Sequence, residues 1–132
     1  MLSMRDRSVI DGAGDHLDIF GQAFAEGKGR KLKGKRPRKK SLPIFSACAG
    51  AAIYRVSCFE KIGLFDERHF CYLEDVDIGW RAQICGYRSR CRTDAVVYHK
   101  GSAASGSQYN VFKQELAAGN TLYIQYKNMP VI

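Results

Sequence analysis

The clearest periodic pattern of apolar and polar positions lies just past the middle of the chain. At about 100° per residue, Leu73, Val76, Trp80 and Ile84 fall into one apolar stripe. Three carboxylates occupy the first turn, which suits the positive end of a helix dipole. Gly86 is a suitable stop one turn after the stripe ends. The pattern predicts an amphipathic helix with an acidic start, and a solvated helix face is its simplest interpretation.

The remaining chain shows shorter patterns. Small and apolar residues at 44–54 predict a buried strand followed by a turn, and alternation over 88–99 predicts a strand that ends at a histidine. Helical patterns occur at 57–62, with Ser57 as its cap and Gly63 as its stop, and at 108–127, before Pro130. Brief strands are predicted at 9–10 and 17–20.

The basic residues are concentrated in one stretch. Of 21 Lys and Arg residues, nine lie in residues 28–40, which contain no acid; the other 12 face 13 acidic residues. The formal net charge of +8 therefore describes this stretch, where like charges and two glycines predict a mobile, solvated loop. Its alternative partners are an anionic membrane surface, a diphosphate-bearing substrate and nucleic acid. Nucleic acid ranks last because no aromatic residue interleaves with the basic ones.

Length, composition and cysteine content limit the size class and the cellular compartment that we expect for this protein. With 132 residues, 45% of them hydrophobic, the chain has the size of one domain or of part of one. Five cysteines without a Cys-x-x-Cys pair favour buried reduced thiols of a cytosolic protein over zinc or redox sites. Charged residues occupy the N-terminus where a signal peptide needs an apolar core, and no apolar run approaches the ~18 residues of a membrane span. We expect the functional face in the cytoplasm.

Several of these pieces occur in an order typical of one enzyme family. The order is a small-residue strand, a Gly-x-Phe-Asp-Glu turn, an acidic helix, a Gly-Tyr pair, and a strand ending in histidine: Ser46–Arg55, Gly63–Glu67, Glu74–Ala82, Gly86-Tyr87 and Asp94–His99. This order resembles the C-terminal half of family 2 glycosyltransferases of the GT-A fold, especially the bacterial rhamnosyltransferase-like and galactofuranosyltransferase-like members. The resemblance runs from about Phe45 to about Ser105.

The resemblance implies an α/β protein with a partial GT-A-like fold, the acceptor-side half of a nucleotide-diphospho-sugar transferase domain. Residues 1–27 then correspond to the end of the donor-side half, 28–43 to the basic loop, 44–107 to the acceptor-side core and 108–132 to an amphipathic C-terminal helix. The family's first half, with its metal-binding Asp-x-Asp motif, has no counterpart here. We therefore predict a chain that is inactive alone, peripheral to the inner membrane in the full enzyme.

The resemblance also implies a set of site residues. Asp75 takes the general-base position, and His99 matches a residue that ligates a divalent cation, Mg²⁺ or Mn²⁺, held mostly by the missing Asp-x-Asp motif. A strand-end histidine bonded to backbone is the alternative for His99. The expected partners are a nucleotide-sugar donor and a glycan or lipid-linked acceptor of the cell envelope. Expected acceptor-side residues are Gly50, Glu74, Asp77, Trp80 and Arg81.

Simpler roles exist for some of these residues. Asp77 and Arg81 stand four apart and can pair on one helix face, and the position of Trp80 in the apolar stripe favours the core. His16 and His69 are interpreted as surface or packing residues. Two other function classes stay open: a non-catalytic scaffold or interaction remnant, and, last in rank, a basic nucleic-acid-binding module.

Overall fold

The computed structural model describes residues 1–32, 40–101 and 110–130. Within them, short strands and helices are mixed along the chain, so the predicted α/β class is confirmed at that level. The strands are β1 (Leu2–Ser3), β2 (Asp15–Leu17), β3 (Ala23–Ala25), β4 (Ser41–Ile44), β5 (Ser89–Arg92) and β6 (Tyr98–His99). The helices are α1 (Val56–Ile62), α2 (Glu74–Ile84) and α3 (Val111–Asn128).

The strands form three pairs in the described part of the chain. β1 runs parallel to β6, β2 and β3 form an antiparallel hairpin, and β4 pairs antiparallel with β5. A single bridge between Asp15 and Ser46 joins the β2–β3 hairpin to the segment that follows β4. This bridge brings the hairpin against the start of α2, which is where the candidate site forms.

Helix α2 is the predicted acidic helix, but its buried face differs from the predicted stripe. Val76 and Ile78 are buried, together with the small residues Gly79 and Ala82, whereas Ile84 is 65% exposed. Small side chains let the helix backbone approach the segment after β4 more closely than Ile or Trp would allow. The helix therefore packs through Val76, Ile78 and its small residues. The predicted apolar stripe was wrong in including Ile84 among the buried positions.

Helix α2 comes closest to Ser46 at Gly79, and we expect the replacement of Gly79 by alanine to destabilise the protein. A Cβ on Gly79 would lie 2.9 Å from the Cα of Ser46 and closer still to its side chain. Because Ser46 is fully buried, the added methyl group overpacks this contact, and Gly79→Ala should lower the free energy of unfolding by about 1–3 kcal/mol. Urea denaturation measures the loss.

Gly119 in α3 provides the matched control. A Cβ there meets nothing within 4 Å, so Gly119→Ala should raise the free energy of unfolding by about 0.5–1 kcal/mol, as expected for an open position inside a helix. Equal effects of the two substitutions would show that helix propensity, and not contact with Ser46, governs position 79.

Two predicted elements differ in their boundaries. The strand expected at 44–54 ends at Ile44, and a short 3-10 turn at Ala49–Ala51 follows. The strand expected at 88–99 divides into β5 and β6, with a turn between them at which the Arg92 guanidinium pairs with the Asp94 carboxylate at 2.8 Å. Alternation alone does not mark such a break because the turn residues continue the pattern.

The ends of the helices follow the predictions in part. Gly63 stops α1 with a φ of 81° and donates its N–H to the Phe59 carbonyl, and Gly86, with a φ of 85°, follows α2 as expected. Ser57 was the predicted cap of α1, but the helix begins one residue earlier, after Arg55, with no side-chain cap. Asn110 caps α3 by accepting the Phe112 N–H at 2.9 Å.

The beginning of the basic stretch is held by the backbone. Gly29 donates to the Ile10 carbonyl, and Leu32 donates to that of Ser8, so a free loop does not begin as early as residue 28. The prediction of mobility for residues 33–39 lies outside the described residues. All five cysteines are free thiols. Cys58 is buried and the other four are half-buried, so the prediction of buried thiols holds fully for Cys58 alone. No helix among the described residues has both the length and the apolar character to cross a bilayer.

Candidate functional site

Asp75 lies in the first turn of α2, and two backbone groups fix its carboxylate. Oδ2 accepts a hydrogen bond from the Ala49 N–H at 2.9 Å, and Oδ1 accepts one from the Val76 N–H at 2.8 Å. The donor at Ala49 belongs to the 3-10 turn that replaces the predicted strand. A carboxylate held at a helix N-terminus by two N–H groups is oriented without any help from a ligand.

Ser46 connects Asp75 to a second acid, Asp15. The Ser46 hydroxyl, fully buried, donates to the Asp75 carbonyl at 2.6 Å. The backbones of Ser46 and Asp15 bond each other in both directions, with the Asp15 N–H at 2.9 Å and the Ser46 N–H at 3.1 Å. One buried serine therefore sets the position of both aspartates.

The two carboxylates and the Cys48 thiol form one cluster. The ligand atoms of Asp15, Cys48 and Asp75 all lie within 4.8 Å of one another. Burial, together with the charge of Asp75, raises the pKa of Asp15 to about 6, against a smaller opposing effect of Lys28. Burial also raises the pKa of Cys48 to about 11, so the thiol stays protonated at neutral pH.

This cluster suits proton exchange better than a magnesium or manganese ion. Hard cations prefer oxygen ligands, and here one of the three groups is a thiol in surroundings that disfavour the thiolate. Both oxygens of Asp75 already accept backbone hydrogen bonds. Two close carboxylates of which one holds its proton up to a pH of about 6 are a typical proton-accepting pair.

His99 ends β6, as predicted, and its partner is Asp11. The His99 Nδ1 and the Asp11 Oδ2 are 2.5 Å apart, with the two side chains 42% and 22% exposed. This is a carboxylate contact and not the backbone bond that was the alternative. Histidines that bind metals generally present one ring nitrogen to the ion while the other donates to a carboxylate. The Asp11–His99 pair therefore fits a cation ligand that binds through Nε2.

Asp75 and His99 lie outside the cleft beside Cys48. A cleft of about 830 Å³ is lined by Gly12, Gly14 and Cys48 among others, and neither Asp75 nor His99 lines it. Each side chain is turned toward an acid of the segment 11–15: His99 to Asp11, Asp75 to Asp15. An extended segment of that length separates its end Cα atoms by at most ~14 Å. Asp75 and His99 therefore face acids at the two ends of one short segment.

Asp77 and Arg81 serve the packing of α2. The predicted pair is present, at 2.8 Å, and Asp77 is fully buried. Its oxygens also accept from Lys127 at 3.0 Å and from Asn128 at 2.9 Å, which joins α2 to the end of α3. Burial alone would raise the pKa of Asp77, but the bonds from Asn128, Lys127 and Arg81 outweigh it and lower that pKa.

The environment of Asp77 corrects its predicted role in acceptor binding, because no acceptor reaches a side chain without exposed surface. Arg81 is similarly occupied, since its guanidinium also donates to the carbonyls of Ile62 and Leu64. Asp75 and Asp77 have the spacing of an Asp-x-Asp motif. They contact separate partners, so they form no metal-binding pair.

The other predicted acceptor residues differ in accessibility. Trp80 packs edge-on against Phe45, with ring centroids 5.7 Å apart, which favours the core interpretation. Gly50 is exposed in the 3-10 turn, and a Cβ there would lie 3.9 Å from the Cys48 sulfur. Glu74 has one buried oxygen, Oε2, without a hydrogen-bond partner among the described residues. Gly50 and Glu74 are therefore the predicted residues best placed beside Asp75.

The sequence did not predict that Asp11 is the partner of His99 or that Asp15 lies beside Asp75. Asp11 and Asp15 carry no signal beyond being acids on either side of a Gly-Ala-Gly segment. His69 was expected at the surface or in packing contacts, and it is fully buried against the Tyr123 ring, 5.1 Å between centroids. His16 stacks on Phe24 in the β2–β3 hairpin at 5.8 Å.

Comparison with known proteins agrees with the family resemblance at a coarse level. No family model matches the chain, and no solved structure matches it. Two curated relatives, from the CDC 1551 and H37Rv strains of Mycobacterium tuberculosis, are each named N-acetylglucosaminyl-diphospho-decaprenol L-rhamnosyltransferase. Each is 36% identical over 64 residues, which is 48% of this chain and 21% of the relative. The matched part thus spans about a fifth of the relatives' length, and over that part the chain is related to a glycosyltransferase.

Proposed function

We propose that this chain is the acceptor-side part of a family 2 glycosyltransferase with a GT-A-like fold. In this proposal, the enzyme that this part completes transfers a sugar from a nucleotide-sugar donor to a cell-envelope glycan or lipid-linked acceptor. The observation that carries the proposal is the Asp75 carboxylate, fixed at the start of α2 by two backbone N–H groups. The 36% identity to a rhamnosyltransferase over half of the chain supports the same reaction class.

In the proposed reaction, Asp75 removes the proton from the acceptor hydroxyl. The hydroxyl oxygen then forms a bond to the anomeric carbon of the sugar, while the bond from that carbon to the diphosphate breaks and the diphosphate leaves with the electron pair. An Asp with a pKa near 4 is a weak base. Its contribution therefore depends on placement, which the hydrogen bonds from Ala49 and Val76 supply.

A divalent cation, Mg²⁺ or Mn²⁺, would neutralise charge on the departing diphosphate. His99 is the ligand that this chain offers, because Asp11 holds its Nδ1 and leaves Nε2 for an ion. Gly50 and Glu74 are proposed to contact the acceptor, since both lie near Asp75. The basic stretch 28–40 is proposed to meet the anionic membrane surface at the cytoplasmic side.

The proposal is tested in a chimera. The part of the Mycobacterium tuberculosis relative that contains the 64 matched residues is replaced by all 132 residues of this chain, and transfer of a radiolabelled sugar to the lipid-linked acceptor is measured. We expect transfer above background that depends on Mg²⁺ or Mn²⁺. A folded chimera without any transfer would contradict the proposal and favour a non-catalytic scaffold.

The isolated chain gives a second, opposite expectation. Because none of its residues supplies the donor-side Asp-x-Asp motif, the 132 residues alone should transfer no sugar from a panel of nucleotide sugars with either cation. The undivided relative is the positive control in the same assay. Measurable turnover by the chain alone would show that a donor-binding half is not required.

A further inference from the structure

A second acid stands beside the proposed base, and it has no role in the mechanism above. Asp15 begins β2, on a different element from Asp75, and its carboxylate oxygen lies within 4.8 Å of that of Asp75. Resting on the proposed function, we propose that Asp15 is a positioning residue that acts with Asp75 as one carboxylate pair, in which its charge strengthens Asp75 as proton acceptor.

Ser46 connects the two acids of the pair. Ser46 bonds the backbone of Asp15 in both directions and bonds the backbone of Asp75 through its hydroxyl. Gly79 lets α2 lie directly against Ser46, so both acids are held at the same serine. A like charge at a fixed short distance disfavours two negative charges and so raises the affinity of the pair for a proton. This is the property that a lone exposed aspartate lacks.

The surrounding charges leave this effect in place. Among residues 1–32, 40–101 and 110–130, the titratable groups that face the two acids are Lys28, Cys48 and Tyr54. The Cys48 thiol and the Tyr54 hydroxyl both have raised pKa values and are neutral at pH 7, so neither adds a charge. Within the described part of the chain, Lys28 is the cation that opposes the effect, and its influence on the pKa of Asp15 is smaller than those of burial and of Asp75. The Asp15 carboxyl, whose pKa is raised to about 6, therefore holds its proton beside Asp75 at a higher pH than a free aspartate does.

Carboxyl ¹³C NMR of the isolated chain tests the pair without any need for transfer. The Asp15 carboxyl resonance is followed between pH 3 and pH 8 in the wild type and in Asp75→Asn, which keeps a side-chain oxygen for the Ala49 or Val76 N–H. Because the charge of Asp75 contributes to the raised pKa of Asp15, we expect the midpoint of Asp15 to fall by at least about half a pH unit in Asp75→Asn. An unchanged Asp15 titration would overturn the pairing, whatever the chimera does.

The chimera then tests the effect on the reaction. Asp15→Asn should lower kcat about 10-fold to 100-fold and move the acid limb of the pH profile toward lower pH by about one unit. Asp15→Glu should restore the position of that limb. A purely structural role would lower thermal stability and leave the limb in place, which would also overturn the proposal. If the chimera transfers no sugar, the proposed function fails, and the NMR titration alone decides whether the pair exists.

Discussion

Asp75→Asn should reduce sugar transfer by the chimera about 10²-fold to 10⁴-fold, the largest effect on activity that we expect. The substitution removes the proton acceptor but keeps a side-chain oxygen that accepts the Ala49 or Val76 N–H. Removal of a general base typically costs this factor. Because the reacting oxygen must be deprotonated while it forms its bond, the loss should appear in kcat and not in the KM of the acceptor.

The control for this experiment is Asp94→Asn. Asp94 lies in the turn before β6, 41% exposed, and its partner Arg92 is also exposed. We expect transfer within twofold of the parent. An activity loss below tenfold in Asp75→Asn, with the melting temperature preserved, would remove Asp75 from the role of base. A large activity loss accompanied by a loss of the far-UV circular dichroism signal would instead mean that the substitution unfolds the protein.

The central helix and its acidic start were predictable because both are local. Helical spacing, the acids of the first turn and the stop at Gly86 are all written within fourteen residues, and α2 spans Glu74–Ile84 as expected. The Asp77–Arg81 pair followed for the same reason, since residues four apart on a helix are neighbours. Local sequence patterns therefore predicted the helix, its acidic start and the Asp77–Arg81 ion pair.

The contacts that build the candidate site are long-range and were not predictable. Ser46 lies 29 residues before the carbonyl that it bonds, and Asp11 lies 88 residues before His99. No periodicity connects such positions. Only the folded chain shows that Ser46 leaves no space for a side chain at Gly79. The same limit hid the burial of Asp77, because its partners Lys127 and Asn128 come from the far end of α3.

The buried Asp77 carboxylate gives the second large expectation, this time for stability. Asp77→Ala leaves the cations of Arg81 and Lys127 next to each other without their shared anion. Removal of one partner from a buried ionic group typically costs about 3–5 kcal/mol. We expect a value near the lower end, about 3 kcal/mol, because Arg81 and Lys127 are 16% and 25% exposed and Lys127 also pairs with Asp66.

The pH dependence distinguishes this electrostatic effect from lost packing. The pKa of Asp77 is lowered in the folded protein, so its contribution to stability is present above the unfolded pKa of about 4 and is lost as the pH falls through the lower folded value. The difference in unfolding free energy between wild type and Asp77→Ala, measured by urea denaturation, should therefore shrink from pH 7 to pH 3. The exposed Asp94→Ala should show no measurable change at pH 7. A difference that stays constant with pH would mean that α2 and α3 are joined by packing alone, and that the ionic group at Asp77 adds nothing to it.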